Sequence, residues 1–203
     1  MWPVGATAPR AADPSADGGG RVRFGSGGSD VAAVAAMDPG SAEPKERGMT
    51  GSYQVERAVV DAVPTAVIAA PATANDLART IGRLIDPVRT FVRSSGVTAG
   101  HNIVFYEGDV QDGAGTTIEV GVVVDRPFAE TSPTGVHCSE LPAGKVARTV
   151  HLGHYHRIGE AHAAVRQWCA EQGEALVGPS WEIYGDWTDD PRALESEVLY
   201  LLR

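Results

Sequence analysis

The sequence predicts an α+β fold of two similar halves, each running strand, strand, helix, strand, strand. Three observations carry this reading. Two helical stripes of apolar residues are each flanked by pairs of strand-like segments rich in β-branched and aromatic residues. Each stripe stops at a glycine, Gly96 or Gly173, and a second glycine four or five residues later (Gly100, Gly178) leads into an aromatic strand. Proline turns at Val63-Pro64 and at Leu141-Pro142-Ala143-Gly144 fall at matching places. The expected architecture is a duplicated module forming an antiparallel sheet with two helices, the modules side by side, and a central ligand cleft.

In the first half, Tyr53–Val60 and Thr65–Ala69 read as short strands around Val63-Pro64. A helix follows, because Leu77, Ile81, Leu84, Ile85, Val88, Phe91 and Val92 recur on one face. Thr73 with Asp76 three residues later is its expected N-terminal cap, and Gly96 its stop. Pro87 inside the stripe predicts a kink. His101–Glu107 and Thr116–Asp125 are the next strands, with Asp112-Gly113 as the hairpin signal between them.

The second half repeats the order. Val136–Glu140 and Lys145–Leu152 are strands, and a helix from about Ile158 to Gln172 buries Ile158, Ala161, Val165, Trp168 and Cys169. Trp181–Trp187 and Glu195–Leu202 close the half as strands around Asp189-Asp190-Pro191. Side chains two apart in a strand share a face. Glu182 therefore points with Tyr184, and Glu197 with Leu199 and Leu201. A carboxylate in step with aromatic or apolar neighbours is costly in a core but suits a pocket for an apolar or cationic molecule.

Residues 1–48 are rich in Gly, Ala, Pro, Ser and Asp, with too few large apolar side chains to offset the entropy of ordering them. They are expected to be a disordered leader. Met37 and Met49 are alternative starts, and the functional domain is expected to span 49–203. The leader holds five basic and six acidic residues, which leaves −8 of the net charge of −9 on 49–203. So acidic a domain repels phosphate backbones, so no direct nucleic-acid partner is expected. No apolar run is long enough for a membrane helix, and no secretory signal is expected, because no basic region is followed by an apolar stretch. Two cysteines without CxxC spacing, Cys138 and Cys169, argue against a disulfide framework or a cysteine zinc site. A cytoplasmic setting fits that usage.

The run Leu141-Pro142-Ala143-Gly144-Lys145-Val146-Ala147-Arg148-Thr149-Val150-His151-Leu152-Gly153-His154-Tyr155 resembles the GyrI-like small-molecule-binding domain, the effector-binding domain of bacterial AraC- and MerR-type activators. Ile158-Gly159-Glu160-Ala161, Trp168, Gly173, Gly178-Pro179-Ser180-Trp181-Glu182-Ile183-Tyr184 and Ser196-Glu197-Val198-Leu199-Tyr200 continue the match. The likeness is good over about 130–203 and weaker over 52–125. It implies a duplicated module and a cleft for amphipathic or cationic compounds, lined by acids and aromatics. Carried over by position, the acids fall on Glu182 and Glu197 and the aromatics on Tyr155 and Tyr106, with Tyr184 and Trp181 beside them. Two departures bear on pocket shape: His154 replaces the usual Pro of the turn, and Leu199 replaces an aromatic. Residues 1–48 show no periodicity for a helix-turn-helix, so a standalone effector-binding domain is expected.

Three functions follow. The first is capture of a small apolar or cationic molecule, for sequestration or for regulation through a protein partner or a homodimer. The second is hydrolysis of strained, electrophilic natural products, with Glu197 or Glu182 as general base and Tyr155 or Tyr184 as acid. The third is inhibition of a DNA topoisomerase by an acidic surface. His151, His154 and His156, with His162 nearby, read more readily as turn histidines than as a zinc site, because strand alternation separates His151 from the other two. Glycine-rich phosphate loops, nucleophile elbows and HExxH motifs are absent, so no cofactor is expected.

Overall fold

A computed structural model describes residues 53–110, 114–129 and 133–203. The leader at 1–48 and the Asp112-Gly113 hairpin signal lie outside the described residues. The elements are β1 (Glu56–Val60), β2 (Val63–Ala72), α1 (Leu77–Ser95), β3 (Ala99–Tyr106), β4 (Thr116–Val124), β5 (His137–Leu141), β6 (Gly144–Leu152), α2 (Ile158–Gln172), β7 (Leu176–Tyr184) and β8 (Glu195–Leu202). Every expected element is present, and α2 has the expected bounds.

Local chemistry sets the helix ends. Gly96 and Gly173 adopt φ of 73° and 69°, the left-handed conformation that stops a helix at little cost to glycine. The start of α1 differs from expectation. Asp76, not Thr73, is the capping position, and its Oδ1 accepts from the backbone N–H of Thr73 at 2.7 Å and from its hydroxyl at 2.9 Å. The carboxylate thus closes the turn ahead of the helix. α1 runs through Pro87 as one helix.

The eight strands of the described residues form one antiparallel sheet, in the order β1-β6-β8-β7-β3-β4-β2-β5. Exchanging the first four strands with the last four maps this order onto its own reverse, which is the signature of a pseudo-two-fold duplication. The halves are not simply side by side, however. β1 pairs with β6 of the second half, and β5 pairs with β2 of the first. Pro64 lies inside β2, opposite Glu140 of β5, and Pro142 lies in the link from β5 to β6, so each segment runs on into a strand at the other side of the sheet instead of folding back as a hairpin. β1 and β2 accordingly run in the same direction at opposite ends of the sheet.

Val60 and Val63 lie three residue steps apart, a span of at most about 11 Å. The sheet must therefore curl until its ends nearly meet. Its concave face is a core in which Leu141, Val146, Ala58 and Val60 from the ends meet Ile103, Trp181, Ile183 and Leu199 from the centre. The strand register places both helices on the other face. α1 packs on Ala66, Val104, Val120 and Val122, and α2 on Ala147, Val198 and Tyr200. Between them, β7 and β3 form the floor. Among the described residues, no helix is long and apolar enough to cross a membrane.

Candidate functional site

The floor between the helices carries a buried acid. Glu182 of β7 is 2% exposed. Strand alternation and register bring Tyr184 of β7 and Tyr106 of β3 to the same face. The Tyr106 hydroxyl donates to Glu182 Oε1 at 3.0 Å, and the Tyr184 hydroxyl donates to Oε2. Burial and the adjacent Glu182 charge hold both phenols well above their ordinary range, so each keeps its proton and donates. Tyr155, in the turn before α2, sets its ring edge-on to Tyr184 with centroids 5.1 Å apart. Burial also raises the Tyr155 phenol.

Three further side chains, His162, Tyr200 and Arg166, complete the site, and sequence reasoning assigned none of them to it. His162 Nε2 lies 2.7 Å from Glu182 Oε1, and its Nδ1 lies 2.8 Å from the Tyr200 hydroxyl. Arg166, one turn along α2, donates to the same hydroxyl at 2.9 Å. The rings of Tyr106 and Tyr200 flank His162 edge-on. Burial raises the Tyr200 phenol, and Arg166 pulls it back. Among the described residues, the only ion-pair partner of Glu182 is His162; neither Arg nor Lys pairs with it. His162 was legible as an inward residue, because it shares the stripe of Ile158, Ala161, Val165 and Cys169.

Glu197 and Trp181 are not part of this cluster. Trp181 directly precedes Glu182 in β7 and so points to the opposite face, where it stacks on Phe105 at 6.4 Å in the concave core. Glu197 registers with Ile183 and Val150, also on that face. The single cleft expected to hold both carboxylates is thus divided by the sheet. Glu197 contributes instead to a groove of about 910 Å³ between residues 53–56 and β6, which also includes Arg148 and Val150. That groove holds none of the tyrosines around Glu182.

Within it, Glu197 Oε2 is buried with no hydrogen-bond partner among the described residues, and desolvation holds its carboxyl above the ordinary range despite Arg148. A carboxyl raised by folding binds more protons when folded than when unfolded, so its contribution to stability falls as pH rises through that window. Glu197→Gln is therefore expected to raise the melting temperature at pH 7 and to change it little at about pH 3, where the carboxyl is protonated in both the folded and the unfolded chain. Thermal unfolding at the two pH values checks this; a loss of stability at pH 7 would show that the charge is compensated.

The profile of the GyrI-like small molecule binding domain matches residues 61–200. The chain belongs to the GyrI-like small-molecule-binding family. Among solved structures, the GyrI-like domain is similar to the EcmrR C-terminal domain, with 16% identity and a TM-score of 0.63 over 74% of this chain and 98% of that one. It also matches an EcmrR–DNA complex at 20% identity and a TM-score of 0.65, covering 78% of this chain and 60% of that one. SAV2435 bound to tetraphenylphosphonium matches at 12% identity and a TM-score of 0.55, over 74% and 93% of the two chains. No curated protein matches. At these identities the likeness to the solved structures is one of fold.

Proposed function

We propose that this GyrI-like domain captures an amphipathic organic cation between α1 and α2, its charge on Glu182 and its apolar body against Tyr106, Tyr155 and Tyr184. The observation that carries this reading is a buried carboxylate, ringed by tyrosines, that pairs with neither Arg nor Lys among the described residues. Burying such a charge costs several kcal/mol unless a cation compensates it. Tyrosine faces add about 0.5–2 kcal/mol of attraction per cation contact. Trp181 and Glu197 stand outside this binding cluster.

The general-base alternative is less well supported. Glu182 already accepts from Tyr106, Tyr184 and His162, which leaves little capacity to take a proton from water. The biological output fits sensing or sequestration in a cytoplasmic protein that works alone, as a homodimer or through a protein partner.

Titration calorimetry with tetraphenylphosphonium and with neutral triphenylphosphine oxide tests the reading. The cation is expected to bind at least about tenfold more tightly, the worth of one modest charge-assisted contact. Equal affinities would remove charge selection and the proposal with it.

A further inference from the structure

Glu182 is closed over, so an entering cation has to displace a side chain that rests on it. Tyr106 and Tyr184 are buried from the floor of the sheet, 5% and 9% exposed. His162 reaches Glu182 from α2 and is the most open of the three, its side chain 13% exposed. It is also the one partner of the three able to carry a positive charge. We infer that His162 is the gate of the Glu182 site: its imidazole holds the place of the ligand's cationic group, and a cation binds with His162 neutral and turned away, so that binding is coupled to proton release. This rests on the reading of Glu182 as a cation site.

The hydrogen bonds support two proton arrangements. In one, Arg166 donates to the Tyr200 oxygen, Tyr200 donates its own proton to His162 Nδ1, and His162 donates from Nε2 to Glu182. His162 is then neutral and the Glu182 charge stands uncompensated. In the other, His162 carries both protons, and Tyr200 accepts from both His162 and Arg166. Its hydroxyl proton is then free to turn to Ser180, which sits opposite Tyr200 across the β7–β8 ladder. Every group keeps its partners in both arrangements, so the network passes between them without orphaning a buried donor. They differ by one charge on the pair, which is the charge a ligand would bring. Imidazole is the side chain suited to making that exchange near neutral pH.

The titratable and charged groups facing His162 are few. Tyr106 comes from β3, Glu182 from β7, Tyr200 from β8, and Arg166 from its own helix. Asp109, beyond β3, acts on Tyr200 at longer range. Both phenols of this set have raised pKa values and stay protonated below pH 8, and Arg166 stays charged. The Glu182–His162 pair, joined at 2.7 Å, is therefore the part of the network on which a ligand's charge would act.

The test uses the full chain and tetraphenylphosphonium. Calorimetry is run from about pH 5.5 to 8 in pairs of buffers that differ in ionisation enthalpy, with the wild type and with His162→Gln. The wild type is expected to bind more weakly as pH falls, approaching tenfold per unit, the limit for one linked proton. It should also release protons on binding at the lower pH values. His162→Gln keeps a neutral donor for Glu182 and should bind with little pH dependence. At fixed pH, saturating ligand should move the wild-type His162 ring-nitrogen resonances toward their neutral positions, which reads the linkage without any substitution. Binding that depends on Glu182 yet is independent of pH, with unmoved His162 resonances, would overturn the gate alone. Absence of tetraphenylphosphonium binding by both proteins at every pH would overturn the cation site and the gate together.

Discussion

Gly121→Ala is expected to remove at least about 3 kcal/mol of stability, the upper end of overpacking costs and a large share of the 5–15 kcal/mol of a typical domain. Gly121 lies in β4, paired with Val67 of β2 on one side and with Ile103 of β3 on the other. A Cβ there would overlap the Ala66 carbonyl oxygen and lie 2.8 Å from the Ala66 carbonyl carbon and the Val67 Cα. These are backbone atoms of a strand held by hydrogen bonds on both sides, since β2 pairs with β4 and β5. No rotamer change relieves the contact. β2 would have to leave the ladder or the curl would have to open, and either movement disturbs the concave core. Urea unfolding followed by circular dichroism measures the effect. A variant within about 1 kcal/mol of the wild type would show that the sheet can flatten at this point without penalty.

Which parts of this architecture the sequence revealed depends on the range of the interaction. Helix α2 was legible because its stripe, Ile158, Ala161, Val165 and Cys169, and its stop, Gly173, are local signals. The duplication was legible for the same reason. The exchange of β1 and β5 was not. Val63-Pro64 and Leu141-Pro142 read equally well as turns or as links that run on, and only pairing across the curled sheet distinguishes the two.

The site shows the same division. Tyr184 and Glu182 share a face by alternation within one strand, and Tyr106 joins them through the β3–β7 register. Alternation alone also sets Trp181 on the other side of the sheet. The side taken by Glu197 depends on the register between β7 and β8, where it meets Ile183, and nothing in the spacing of either strand specifies that offset. His162 was misread by its neighbours in sequence. His154 and His156 do contact each other at the turn, with 2.7 Å between their Nδ1 atoms, and His151 bonds Tyr53. His162 lies further on, inside α2, and answers to Glu182, 20 residues away in the chain. Partners at that distance are set by tertiary packing.

Glu182→Gln is expected to weaken tetraphenylphosphonium binding about tenfold to a hundredfold, while Glu197→Gln leaves it within about twofold of the wild type. The first substitution keeps the side-chain shape and removes the charge, and a hydrogen-bonded or paired charge of this kind contributes about 1.5–3 kcal/mol. The loss has a second component. Gln offers one acceptor oxygen where Glu182 offers two, so one of Tyr106, Tyr184 and His162 loses its acceptor. That part acts on the folded protein with or without ligand, so it appears as a lower melting temperature more than as a loss of affinity. Glu197 lies across the sheet, on the face of Trp181 and Leu199, where its charge meets neither the tyrosines nor a cation bound beside them. Calorimetry on both variants, each shown to be folded at the working temperature, separates the two carboxylates. A neutral ligand should lose little from Glu182→Gln. If Glu197→Gln weakens cation binding as much as Glu182→Gln does, the ligand lies in the groove beside β6, and the tyrosine-ringed acid is a structural feature of the fold.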